Sequence, residues 1–176
     1  MTDTSRRTYL RALGTVPILG AAAGCLGGGD TGTLATHVSD QPGDIGDFDA
    51  LFIQVDGIRV KPQDEEVRRF DADAEVDLTE LVGEASELVG ETDLDTGTYE
   101  FLQLDAEATD ATLDDGSSAT VGLPGDAPLK FDAVFDIRTG ETTSFTADFT
   151  PVKQGRTGRY LLQPVADGVE VSYEDA

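Results

Sequence analysis

The chain has 176 residues with 12 basic against 35 acidic side chains, a formal net charge of −23, one cysteine, one histidine and no tryptophan. That charge excludes general nucleic-acid binding, which needs a basic patch for phosphate contacts. A lone cysteine excludes an internal disulfide, and a lone histidine without cysteine partners excludes the usual structural zinc centre.

Residues 1–25 read MTDTSRRTYLRALGTVPILGAAAGC. Arg6 and Arg7 precede a short apolar run and Cys25 follows it, the pattern of a twin-arginine export signal that ends at a lipid-attachment cysteine. The run holds roughly a dozen apolar or small residues, fewer than the ~20 of a membrane span. We therefore expect residues 1–24 to be a signal peptide, Cys25 to be lipidated, and residues 25–32 (CLGGGDTG) to form a glycine-rich tether. Removing residues 1–24 leaves 9 basic against 34 acidic residues, a net of −25. Charge does not hold so acidic a surface at an anionic membrane, so the lipid must hold it. The expected location is extracytoplasmic, at the outer face of the cell membrane.

The carboxylates are spread between apolar strands instead of collected in a tail. High Asp, only three lysines and the export signal together suit the proteome of a halophilic archaeon, where molar salt shortens the screening length to ~3 Å. On that reading most carboxylates are solvated surface.

Residues 33–174 read as one domain dominated by period-two alternation. TLATHVSD (33–40) sets Leu34, Thr36 and Val38 on one face and His37 on the other. ALFIQVDGIRVK (50–61) alternates through Leu51, Ile53 and Val55, then resumes at Ile58 after Asp56-Gly57, where a glycine bulge is expected. A short strand follows at 66–70. Residues 76–89 (VDLTELVGEASELV) space Leu78, Leu81 and Val82 by three and four, which predicts a short helical insertion around 77–89, capped by Asp77. In 99–108 the leucines and alanines share one face, with Tyr99 and Phe101 on the other. Asp115-Gly116 marks a hairpin turn. Residues 130–138 (KFDAVFDIR) and 143–150 point Phe131, Phe135, Phe145 and Phe149 inward; 159–165 and 169–173 end the domain around Asp167-Gly168. Alternating strands with one buried face must cover one another, so the predicted fold is all-β, a two-sheet antiparallel β-sandwich.

Taken in order, GTLATHVSDQP (32–42), FIQVDGIRV (52–60), VDLTEL (76–81), DTGTYEFLQL (95–104), LKFDAVF (129–135), FTADF (145–149) and YLLQPV (160–165) resemble DUF4382, a domain of unknown function found in exported proteins. The resemblance implies a transthyretin-like (prealbumin-like) sandwich. It implies no activity and no catalytic residues.

Candidate chemistry is sparse. Asp93 and Asp95 in DLDTG, and Asp114 and Asp115 at the hairpin tip, are the candidate Ca2+ ligands; the EF-hand pattern fails because its twelfth position, counted from Asp93, is Leu104. Asp44, Asp47 and Asp49 line a further acidic loop. Tyr99, Phe101 and Tyr173 are candidates for a small aromatic patch. A serine nucleophile would need His37, and no nucleophile elbow is present. The chain therefore reads as non-catalytic: a lipid-anchored binding or interaction module for an envelope protein or glycan. The alternatives are a structural cell-surface spacer and, further off, a calcium- or carbohydrate-binding module or an enzyme.

Overall fold

A computed structural model describes residues 30–40, 43–125 and 128–175. Arg6, Arg7, Cys25 and most of the expected tether lie outside the described residues. Among those described, no helix is long and apolar enough to cross a membrane.

Among the described residues, eleven strands form two packed sheets. The first holds β1 (Thr31–Asp40), β4 (Ser86–Asp95), β6 (Thr120–Gly122), β9 (Glu141–Lys153), β10 (Arg159–Pro164) and β11 (Glu170–Asp175). Its order is β4-β1-β9-β10-β6, and β11 pairs with the other half of β9. The second holds β2 (Phe48–Pro62), β3 (Arg68–Asp77), β5 (Gly97–Leu113), β7 (Leu129–Phe131) and β8 (Phe135–Ile137). Its order is β3-β2-β5-β7, with β8 also on β5. The predicted sandwich is thus the observed one, with one difference. The first sheet is mixed, because β1 runs parallel to β9 and β10 parallel to β6. Strand alternation cannot distinguish the two directions, since both present every second residue to the core.

The inter-sheet core follows the alternation. Phe131 and Phe135 from the second sheet meet Phe145 and Phe149 from the first edge-to-face, with ring centroids 5.2–6.5 Å apart. These four rings are fully buried, together with Leu51, Ile53, Val55 and Leu102. Edge-to-face contact of buried rings adds to the burial of their area. One side of the sandwich is tied by side chains from the first sheet to the backbone of β8. Asp136 N donates to Tyr173 Oη (3.2 Å), and Thr143 Oγ1 donates to the Asp136 carbonyl (2.9 Å).

The bulge expected at Asp56-Gly57 is present, as a register shift between Val55 and Gly57 on both flanks of β2. A side chain at Gly57 would displace the ends of two neighbouring side chains. A Cβ would stand 2.7 Å from Arg69 Nη2 and 2.9 Å from Asp105 Oδ2. Those groups belong to a cross-strand cluster in which Arg59 (Nη2 to Oδ1, 3.0 Å) and Arg69 (Nε to Oδ2, 2.8 Å) converge on Asp105.

Three expectations are corrected. The helical insertion around 77–89 is not a helix. Asp77 does cap a turn, its Oδ1 accepting from Thr79 N at 3.0 Å, but only a 3-10 turn, Leu78–Glu80, follows. Gly83 then takes φ +88°, and Ser86–Asp95 is β4, paired along the whole of β1. Strand pairing has overridden the local three-four spacing, as tertiary context commonly does. The strand expected at 66–70 reaches Asp77, with Phe70, Ala72, Ala74 and Val76 turned inward. The third correction concerns Tyr99. A register shift between Lys61 and Pro62 leaves Glu100 without an opposite residue and turns the Tyr99 ring into the core. There it stacks on Phe135 at 5.3 Å and donates its hydroxyl to the Asp95 carbonyl (2.9 Å). The expected aromatic patch does not form: Lys130 covers Phe101 and Arg138 covers Tyr173.

Candidate functional site

The strand register of the first sheet creates a trough on its outward side. Parallel pairing sets Ser39 opposite Asp148 and His37 opposite Thr146, in alternation with the inward pairs Val38–Ala147 and Asp40–Phe149. Ser39, Thr146 and Asp148 therefore lie on the floor. One wall is the link 83–86 that enters β4, held by the pairing of Ser86 with Ser39. The other is the stretch 167–170 between β10 and β11, which arises because both strands run along β9 one after the other. Val165 N donates to the Asp148 carbonyl (2.9 Å) and holds that crossover against the sheet. The cavity is about 450 Å³, and none of its lining residues is basic. Three interstrand spacings separate Ser86 from Glu170, so the trough is about 14 Å across.

Asp40 borders this trough at the end of β1, with its side chain on the core-facing phase of that strand. The residue is 2% exposed, and neither carboxylate oxygen has a hydrogen-bond partner among the described residues; Ser39 Oγ is also unpartnered there. A buried carboxylate without donors is expensive to ionise, so it either keeps its proton or takes a cation. Burial, reinforced by the charge of Asp148, raises the Asp40 carboxyl from 3.8 to about 7. Near neutrality the group is balanced between those two states.

The candidate calcium ligands fall elsewhere. Asp93 and Asp95 are in β4, not in a loop. Asp93 Oδ1 accepts from Thr33 Oγ1 (3.1 Å), and Asp95 Oδ2 from Arg68 Nη1 (2.8 Å). Asp114 and Asp115 do sit at the β5–β6 turn. There Asp115 Oδ1 accepts from Ser117 Oγ (2.5 Å) and N (2.9 Å), which holds its carboxyl below the usual range. Asp114 N bonds the Asp47 carbonyl, which brings this turn beside Asp47 and Asp44. A cation is already present there. Lys153 Nζ lies 2.9 Å from Asp47 Oδ2, to which Tyr160 Oη also donates (2.6 Å), and Lys153 N donates to Asp44 Oδ2 (2.6 Å). Those bonds, Tyr160 first and then Lys153, depress the Asp47 carboxyl. Among the described residues no three His, Cys, Asp or Glu side chains are grouped to hold a metal.

Sequence reasoning missed Asp40 and Asp148, although a signal for Asp40 exists. Asp40 continues the core-facing series Leu34, Thr36, Val38, whereas Asp148 alternates with the inward Ala147 and Phe149 and falls on the outward phase. A charge that falls on a buried rhythm is more informative in so acidic a chain than any cluster in a loop.

Residues 31–164 match the family described as "Domain of unknown function (DUF4382)", and the chain belongs to it. The match runs from the first residue of β1 to the last of β10, so the wall at 167–170 lies beyond it. No curated protein matches the chain.

Proposed function

We propose that this DUF4382 chain is a non-catalytic binding module, held at the outer face of the cell membrane by a lipid on Cys25, and that the trough over β1 and β9 is its ligand face. The observation that carries the binding reading is the trough itself. It is a concave site of about 450 Å³ lined by hydroxyl and carboxylate residues from four segments, with no basic residue among them. Ligand sites combine such concavity with a few placed polar groups. The anchoring reading rests on Arg6, Arg7 and Cys25 and on a net charge that repels anionic lipid.

The test is retention of envelope components, from extract at high salt, on the immobilised full chain and on its Thr146→Trp variant. Tryptophan suits a strand and would fill the trough floor. A component retained by the parent and lost by the variant supports the module. If both retain the same set, or neither retains anything, the chain is a spacer. Anchoring is tested separately by Cys25→Ser, which should move the protein from the membrane to the soluble fraction with loss of the lipid mass; unchanged fractionation and mass would sink that reading.

A further inference from the structure

We infer that the tip of the β9–β10 hairpin, residues 154–159 (QGRTGR), is a docking point for an acidic polypeptide, whose carboxylates pair with Arg156 and Arg159. Among the described residues, seven of the nine lysines and arginines are in ion pairs. The two that are not, Arg156 and Arg159, stand on one turn and are both exposed. In a chain of net charge −23 a cation without a carboxylate partner is the exception, and two at one tip make a positive point on a predominantly acidic surface. The turn is well bonded. Gln154 N donates to the Arg159 carbonyl (2.7 Å), Gly155 N to the Lys153 carbonyl (3.1 Å) and Thr157 Oγ1 to the Gln154 carbonyl (2.7 Å). Gly155 and Gly158 supply the positive φ values, 58° and 70°, that reverse the chain. Both guanidiniums thus leave a fixed backbone, which lowers the ordering cost of binding.

Arginine presents a planar fork that takes a carboxylate through two parallel N–H donors, so the partner is an anion. Position argues against the membrane. β1 begins beside the start of β9 and runs parallel to it, with Thr33 opposite Thr142. β9 is 13 residues long, so the tip at its far end lies roughly 40 Å from the point where the N-terminal segment enters. On the anchoring reading above, on which this step rests, the tip is the pole remote from the lipid. Sugar rings stack on open aromatic side chains, and the nearest ring, Tyr160, is buried. What lies open beside the tip is aliphatic: Val152 is 38% exposed, opposite Leu161 on the outward phase. An apolar contact next to two guanidiniums suits a peptide that mixes acidic and apolar side chains. Molar salt favours the same pairing, because a screening length of ~3 Å removes the long-range repulsion between two acidic chains while a bidentate contact at ~2.8 Å falls within it.

The test is fluorescence anisotropy in molar salt. The full chain carries Cys25→Ser, with Arg6, Arg7 and Arg11 changed to Gln so that the N-terminal arginines do not compete. The probes are a labelled oligoglutamate peptide with a central leucine, its oligoglutamine counterpart, polygalacturonate and phosphatidylglycerol vesicles. The glutamate peptide should bind and the glutamine peptide should not. Arg156→Glu combined with Arg159→Glu should weaken binding at least tenfold. Lys130→Glu combined with Arg138→Glu makes the same change in net charge away from the tip and should leave binding as it was. Should the double reversal at the tip disturb the near-UV circular dichroism, Arg156→Ser replaces it and should weaken binding about threefold, as for one exposed ion pair. Undiminished binding by the tip variants, an equal loss in the Lys130 and Arg138 variant, no binding of the glutamate peptide, or tighter binding of polygalacturonate or vesicles overturns the inference. Anchoring is read from the fractionation of Cys25→Ser, the trough from envelope retention by Thr146→Trp and the tip from peptide binding, so each can fail without the others.

Discussion

Asp40→Asn makes a quantitative prediction about stability. The carboxyl is raised from 3.8 to about 7 by burial and by Asp148, so it holds a proton in the folded state that the unfolded chain has already lost between those two values. Stability must then fall as pH rises through that window and level off above it. Every tenfold gain in proton affinity on folding is worth about 1.4 kcal/mol, so the rise from 3.8 to about 7 sets an upper limit of about 4 kcal/mol. Part of it belongs to the Asp40–Asp148 pair and not to either residue alone. Asparagine keeps the shape and removes the titration. Urea unfolding of parent and variant, at constant high salt from about pH 4 to about pH 8, isolates the effect, because the other carboxylates are common to both proteins. The parent should lose ground to the variant by up to about 4 kcal/mol across that range. A stability difference independent of pH would refute the claim that Asp40 is a buried acid without donors.

Phe145 is fully buried between Phe131 and Phe135, and truncating it to alanine should lower unfolding free energy by ~3–5 kcal/mol in denaturant titrations. Tyr160→Phe removes the strongest bond that depresses the Asp47 carboxyl; a depressed acid stabilises above its unfolded value and loses that contribution on acidification, so the variant's acid-unfolding midpoint should move to higher pH. Dialysis from molar salt to dilute buffer lengthens screening from ~3 Å to ~30 Å around a chain of net charge −23, and near-UV circular dichroism should collapse; a retained spectrum would mean that self-repulsion is not what salt relieves here.

How far the sequence is readable varies strand by strand. KFDAVFDIR and TSFTADFT place all four core phenylalanines correctly, because an uninterrupted period of two determines which face a side chain takes. Where a bulge intervenes, the rule fails. Between Thr36 and His37 the β1–β4 register shifts past Val89, so Val89 and Leu94 are both buried although an odd number of positions separates them. That break in alternation, beside Leu78 and Leu81, mimics a helix. At Glu100 a second bulge reverses the side on which Tyr99 falls. In β3, by contrast, the alternation in FDADAEV is plain and carries the strand past Phe70 to Asp77. For the site, acidic loops were the visible candidates, yet Asp47 is bonded by Lys153 and Tyr160, and Asp115 by Ser117. The buried carboxylate left without a partner among the described residues, Asp40, lies in a strand.

The sequence by itself determined the class of the domain, its inward phenylalanines, the Gly57 bulge and the charge of its surface, because each depends on neighbours a few residues apart or on composition alone. Only the tertiary structure decided that β1 runs parallel to β9, that β10 and β11 share one side of β9, and that Ser86 opens a strand. Those are choices of partner between segments as much as a hundred positions apart, and alternation carries no record of them. The trough arises from all three choices, and so does the isolation of Asp40. A carboxylate becomes buried without donors only when other strands close around it.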